Sequence, residues 1–329
     1  MSQIDLSIVI VSYNVRELLM QCLESVASQQ SIAEHPVGTV NSQGLATADW
    51  RLSAEIFVVD NASQDGSAVM VRERFPSAQL IENAENRGFA AANNRAFAQT
   101  RGRYVLMLNP DTAVRPGALE TLVKFMDAHA SRRTGACGGK LLYGDGTLQH
   151  SAFAFPTLAQ IFLDFFPVDW RLLESRINGR YPREWYARSE PFQIDHPHGA
   201  DLLVRREAAG QVGWLDEQFF IYCEEIDWCI RIKRAGWQIW CVPQAEIVHH
   251  EAQSTRQFRD AMFVELWRSR FRLFDKHYSR AFCWAVRQIV RAGLWNEARK
   301  ARAAARAGAV TQDESEKRLN AYRQVASLL

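Results

Sequence analysis

Leu6-Ser7-Ile8-Val9-Ile10-Val11-Ser12-Tyr13-Asn14 is the stretch that decides how this chain is read. From Leu6 to Val11 it is almost wholly apolar and largely β-branched. That is the pattern of a short strand buried on both faces, as in a parallel sheet. The run ends on polar Tyr13-Asn14. Residues 16–29 then place Leu18, Leu19, Cys22, Leu23 and Val26 at helical spacing. Residues 31–50, rich in Ser, Gly, Thr and Asn, read as a surface loop.

The alternation repeats outward from there. Glu55-Ile56-Phe57-Val58-Val59 predicts a strand ending at Asp60, followed by a helix over 67–75 with Pro76 beyond its end. Gln79-Leu80-Ile81-Glu82 predicts a third strand, and the Ala-rich residues 89–100 a helix. Tyr104-Val105-Leu106-Met107-Leu108 predicts a fourth strand that stops at Asn109-Pro110-Asp111, and Pro116 suits the first position of a helix running to about residue 129. This order implies an α/β fold, a doubly wound, mostly parallel sheet with helices on both faces. Such sheets bind ligands beyond the carboxyl ends of their strands. Tyr13-Asn14, Asp60-Asn61 and Asn109-Pro110-Asp111 all fall at those ends.

Further on, residues 153–197 hold many aromatics and prolines with little period, suggesting partly ordered segments along a cleft. Residues 200–205 read as a strand. Residues 224–235 read as a helix with an acidic first turn, a basic last turn and Gly236 as its stop. Residues 237–242 read as a strand, 245–248 are strand-like, and the chain is helical from 263 onward.

Composition narrows the function. The 329 residues are 47% hydrophobic and 23% charged, an ordinary globular mix, with a net charge of +2. The charge is uneven: residues 256–329 carry 16 Lys/Arg against 7 Asp/Glu, a net +9, and the rest 23 against 30, a net −7. An acidic body argues against a nucleic-acid partner and leaves the basic tail free to meet an anionic surface. The six cysteines form no C-x-x-C pair, the N-terminus lacks a basic signal region, and no window nears 18 apolar residues. A cytoplasmic protein with free thiols is expected. P-loop, G-x-G-x-x-G, G-x-S-x-G and zincin motifs are absent, and Asn61 to Gly66 lacks the glutamate of a calcium loop.

What remains is a set of polar groups at strand ends. Asp60 suits a turn or a hydrogen bond to a nucleotide base or ribose. Asp111 suits a cap or a divalent metal bridging a diphosphate. Glu224, Glu225 and Asp227 crowd three carboxylates behind apolar Phe219-Phe220-Ile221-Tyr222, where desolvation and like charge raise a pKa toward that of a general base. Asp227 with Arg231 is also an ordinary i,i+4 pair. His249-His250 reads as a surface pair or a metal ligand. Arg87 before Gly88 reads as solvated or as part of an anion site at a helix start.

Together these pieces resemble the inverting glycosyltransferases of family two, with the GT-A fold, and most closely the rhamnosyltransferase-like branch that builds bacterial surface polysaccharides. The matching stretches are residues 7–14, Val58 to Ser63, Asn86-Arg87-Gly88-Phe89-Ala90 with Asn93-Asn94, and Leu108 to Thr112. They continue with Gly199-Ala200, Leu202 to Arg206, Asp216-Glu217 with Phe219-Phe220, Glu224 to Asp227, and His249-His250 with Ser254. The resemblance covers about 7–254 and implies a catalytic domain over 1–255. Its nucleotide-sugar-binding half is 1–112 and its acceptor and catalytic half 113–255, with a basic helical extension over 256–329.

The resemblance further implies a nucleotide-sugar donor held at Val11, Tyr13, Asp60, Arg87, Asn109 and Asp111, and a glycan or lipid-linked acceptor. It implies a divalent cation, Mg²⁺ or Mn²⁺, on Asp111, the last carboxylate of a D-x-D element that here reads Asn109-Pro110-Asp111. One carboxylate is therefore missing, which makes His249 the expected second ligand. Glu225 stands where the catalytic base is more often aspartate, and Asp227 is the fallback base. The rival readings are a nucleotidyltransferase and a catalytically silent sugar-binding scaffold. In the tail, Phe282, Val286, Ile289, Val290 and Gly293 form one stripe and Arg280, Arg287 and Arg291 another. The apolar stripe packs on the catalytic domain, or the helix lies on the anionic inner face of the cell membrane as a peripheral contact.

Overall fold

The computed structural model describes residues 4–31, 52–250 and 259–329. Apart from Ser31, the loop expected over 31–50 lies outside the described residues, as do Ser254 and the 255/256 boundary. The first half runs β1 (Leu6–Ser12), α1 (Arg16–Ser31), β2 (Ala54–Asp60), α2 (Ser67–Arg74), β3 (Gln79–Glu82), α3 (Phe89–Phe97), β4 (Tyr104–Leu108), β5 (Thr112–Val114), α4 (Ala118–Ala128) and β6 (Thr134–Leu142). Short pieces follow: β7 (Leu148–Gln149), β8 (Ala152–Phe153), α5 (Leu158–Phe165), α6 (Trp170–Leu173), α7 (Arg183–Ala187), β9 (Phe192–Gln193) and β10 (His196–Pro197). The remainder is β11 (Asp201–Arg205), α8 (Arg206–Val212), α9 (Glu224–Arg234), β12 (Gln238–His249), α10 (Arg259–His277), α11 (Arg280–Arg306) and α12 (Gln312–Ala326).

The main sheet is ordered β3-β2-β1-β4-β11-β6-β12-β5. β3, β2, β1 and β4 pair in parallel, as their apolar runs predict. β11 is antiparallel to both β4 and β6, so the sheet is mixed beyond its first four strands. Both faces of β1 are buried. Leu6, Ile8 and Ile10 pack with Leu19, Leu23 and Val26 of α1. Val9 and Val11 pack on the other side with Ala92, Ala96 and Phe97 of α3 and Trp228 of α9. All six cysteines are buried and unpaired.

Three elements depart from the sequence reading, each for a local reason. Pro116 does not open its helix. Gly117, at φ +79°, turns the chain and α4 starts at Ala118. The segments 237–242 and 245–248 are one strand, β12, whose register on β6 shifts between Val242 and Glu246, around Pro243. A proline has no N–H for the ladder, so the strand bulges there. β6 carries no apolar pattern because Gly138 and Gly139 lie under a crowded strand. A Cβ on Gly139 would sit 2.5 Å from the Ala245 carbonyl oxygen and 2.9 Å from Asp201 Oδ2.

The stripe Phe282, Val286, Ile289, Val290 and Gly293 faces inward. Val286 and Val290 are fully buried in a cluster with Phe165, Phe219, Ile230 and Trp267. A Cβ on Gly293 would collide with the Phe165 ring. Of the two readings of that stripe, packing on the catalytic domain is the one the structure takes. Among the described residues no helix is long and apolar enough to cross a membrane.

Candidate active site

Beyond the carboxyl ends of β1, β4 and β12 lies a cleft of about 480 Å³. Val11, Tyr13, Asn109, Asp111, Glu225 and His249 all line it, together with Asn61, His198, Gly199 and Glu224. Topology creates the meeting. β5 runs antiparallel to β12 with Thr112 opposite His249, so Asp111, one residue earlier, lands beside the imidazole. His249 Nε2 lies 3.4 Å from Asp111 Oδ1. On its other side, His249 Nδ1 is 3.1 Å from Gln149 Oε1. With that carbonyl oxygen accepting from Nδ1–H, Nε2 is the nitrogen left to offer a lone pair to a cation beside Asp111. Asp111 Oδ1 is buried with no hydrogen-bond partner. Two electron-rich atoms face each other at a spacing that one cation would bridge, and a mixed carboxylate–imidazole pair suits Mn²⁺ better than the oxygen-preferring Mg²⁺. Among the described residues no group of three or more His, Cys, Asp or Glu that could hold a metal is found.

Glu225 enters from the other wall. Tyr222 and Cys223, at φ +70° and +68°, are two successive non-glycine residues in the left-handed region. This strained turn swings the chain so that α9 starts with Glu224-Glu225 at the cleft. The Glu225 side chain runs beside Gly199, where a Cβ would touch its Cγ and Cδ at 3.4 Å, an ordinary contact. Burial pushes the Glu225 carboxyl up to about 7. Glu224 is shifted further in the same direction, by burial and by the charge of Glu225, and its Oε2 has no partner. Both carboxyls are thus held above the ordinary glutamate range, burial being the first cause for each.

Asp227 does not take part. Its side chain is fully buried and clamped by Arg231 Nε at 2.8 Å, Lys276 Nζ at 2.7 Å and His277 Nε2 at 2.7 Å. Burial opposes its ionisation, but the His277, Lys276 and Arg231 contacts outweigh that and hold it at about 2. It lines no part of the cleft, and a carboxylate so paired is too weak a base to serve as the fallback.

Asp60 and Arg87 stand near the cleft without lining it. Asp60 is 4% exposed; Oδ2 accepts from the Ser63 N–H at 3.0 Å and Oδ1 is unpartnered. Arg87 is exposed, and its backbone N–H donates to Asn61 Oδ1 at 3.1 Å. Asn61 also donates to Asn86 Oδ1 at 2.7 Å, tying the end of β2 to the 83–88 loop. Gly88, at φ +83°, lies so close to Phe220 that a Cβ would meet its carbonyl oxygen at 2.5 Å.

Sequence reasoning missed His198 and Gln149, and it placed Asn61 at a ligand-binding strand end without giving it a role. His198 Nδ1 accepts from the Ala200 N–H at 3.1 Å, which leaves Nε2–H as a donor in the cleft. Burial, then neighbouring His249, lowers its pKa to about 3, so it stays neutral. The one available signal was its position just before Gly199-Ala200 and a strand. Gln149 gives no signal, because only β6–β7 pairing brings it to His249.

The mixed sheet, with a cleft beyond the carboxyl ends of its parallel strands, has the architecture of a GT-A glycosyltransferase. A sequence profile of glycosyl transferase family 2 matches residues 7–212. The chain belongs to that family. It is 33% identical over 254 residues to the N-acetylglucosaminyl-diphospho-decaprenol L-rhamnosyltransferase of Mycobacterium tuberculosis, covering 71% of this chain and 77% of that one. It is 27% identical over 195 residues to rhamnosyltransferase WbbL of Escherichia coli K12, covering 56% and 69%. The mannosyltransferase PcManGT of Pyrobaculum calidifontis, solved with GDP-Man and Mn²⁺, shares the fold: TM-score 0.55, 17% identity, 99% of this chain and 87% of that one.

Proposed function

We propose that this glycosyltransferase moves L-rhamnose from dTDP-rhamnose to a hydroxyl of a lipid-linked glycan at the inner face of the cell membrane, with inversion. The observation that carries the mechanism is Glu225, with its raised pKa, facing one cleft with the Asp111–His249 pair. Two rhamnosyltransferase relatives support the sugar.

Glu225 takes the proton of the acceptor hydroxyl. The oxygen bonds to the anomeric carbon from the face opposite the leaving group, as the bond to the nucleoside diphosphate breaks. Single displacement needs no covalent enzyme intermediate. His198 Nε2–H donates a hydrogen bond to an oxygen in the cleft. Val11 and Tyr13 hold the nucleoside end, Asn109 the sugar-phosphate end, with Asp60 behind them and Arg87 at the rim. Asp111 and His249 would hold Mg²⁺ or Mn²⁺. When bound, the cation neutralises charge developing on the departing diphosphate.

The test is a thermal-shift screen of nucleotide sugars with and without Mn²⁺. A donor at 100 times its Kd adds about 2.7 kcal/mol. A metal-dependent shift with dTDP-rhamnose is expected. A shift with another donor alone would reject rhamnose, and no shift with any donor in folded protein would reject the donor site.

A further inference from the structure

We propose that the outward face of α11 is the surface on which this protein lies against an anionic lipid bilayer. The inference deepens the reading of a lipid-linked acceptor, since it says how the enzyme reaches one. The stripe that points to a membrane from sequence is buried inside the molecule. The opposite face is the unusual one. Trp284 and Trp295 are 65% and 66% exposed there. Eleven residues apart on a helix, they lie within about 20° of each other around its axis. Arg280, Arg291 and Arg302 fall within about 60° of that line.

α11 carries seven basic residues and one acidic one, Glu297, which pairs with Lys300. No carboxylate among the described residues pairs with Arg280, Arg291, Arg299 or Arg302. The Arg299 guanidinium instead lies 5.3 Å from the centre of the Trp295 ring.

Two exposed tryptophans on one line of a helix in the C-terminal helical layer, flanked by arginines, mark an interaction surface. Tryptophan beside unpaired arginine is the chemistry of a bilayer interface, the ring at headgroup depth and the guanidinium on anionic lipid. The layer is joined to the chemistry: Ser269 of α10 donates to the Ile221 carbonyl at 2.8 Å, and His277 holds Asp227 of α9. A protein docked through α11 would present Glu225 at a fixed height above the lipid.

Full-length protein is to be sedimented with vesicles of phosphatidylcholine alone and of phosphatidylcholine mixed with phosphatidylglycerol, at low and high salt. The expected result is binding to the mixed vesicles only, weakened by salt. Trp284→Ala/Trp295→Ala and Arg291→Glu/Arg302→Glu should each lower partitioning about tenfold or more, with the donor-induced thermal shift unchanged. Equal binding to both vesicle types, no binding, or unaltered binding by both variants overturns the proposal. So does a dimer that the tryptophan substitutions dissolve while vesicle binding persists. Vesicle binding that meets these expectations without any donor shift would leave the surface standing and reject the transferase reading.

Discussion

Glu225 reaches one methylene further than the aspartate more usual at its place, and its side chain passes beside Gly199. Its acidity has a consequence with a definite sign. A carboxyl raised to about 7 is protonated, and useless as a base, at lower pH. The value of kcat/KM for the free enzyme should therefore rise with pH through a midpoint near 7, and a flat profile from 5 to 8 would count against Glu225. The same shift weakens the fold as pH rises from the ordinary glutamate range to about 7, because the native state holds the proton longer. Glu225→Gln should lower kcat roughly 10²- to 10⁴-fold and leave donor affinity within about twofold; near-normal turnover would reject it as the base. Gln149 orients His249 without touching the cleft. Gln149→Ala should raise the Mn²⁺ concentration needed for donor stabilisation about 10- to 100-fold, read by titrating Mn²⁺ in the thermal-shift assay.

At the scale of elements, α9 does two jobs with one acidic turn. Glu224 and Glu225 face the cleft, and Asp227 anchors the helix to α10 through Lys276 and His277. Removing that buried charge strands two cations, Arg231 and Lys276, and leaves the His277 N–H without its acceptor. Asp227→Asn should cost about 3–5 kcal/mol in chemical denaturation while leaving the pH midpoint of any residual activity unmoved. With its pKa held at about 2, Asp227 stabilises the fold above the ordinary aspartate range. That contribution is lost as pH falls through about 2. Nothing in the Glu-Glu-Ile-Asp string tells the three carboxylates apart. Burial and partners do, and two of the three partners, Lys276 and His277, lie about fifty residues on. The strands β1, β2 and β4 were legible because buried parallel strands are apolar along their length, whereas β6 was not, since its glycines answer to Ala245 and Asp201 across the sheet.

For the whole molecule, the helices α10 to α12 are part of the catalytic body. They share a core cluster with Phe165, Phe219, Cys223 and Ile230. Deleting 259–329 would expose that cluster and leave Asp227 without two of its partners. The truncated chain should lose cooperative thermal unfolding and bind an apolar dye, with near-ultraviolet dichroism reduced. A sharp transition like that of the full chain would show the extension to be separable. For the same reason, membrane binding is better probed by substitution on the outward face of α11 than by truncation.

The sequence by itself determined the alternating frame, the strand ends where Tyr13, Asn109 and Asp111 sit, and the family. These follow from local rules, since buried strands are apolar and ligands gather where they stop. Only the tertiary structure decided that His249 faces Asp111, that Gln149 touches its other ring nitrogen and His198 joins the cleft, that Asp227 is clamped away from the cleft while Glu225 lines it, and which face of α11 is free. Each of those depends on pairing between segments distant in the chain, and on burial, which sets the charge state of a carboxyl group according to what packs around it.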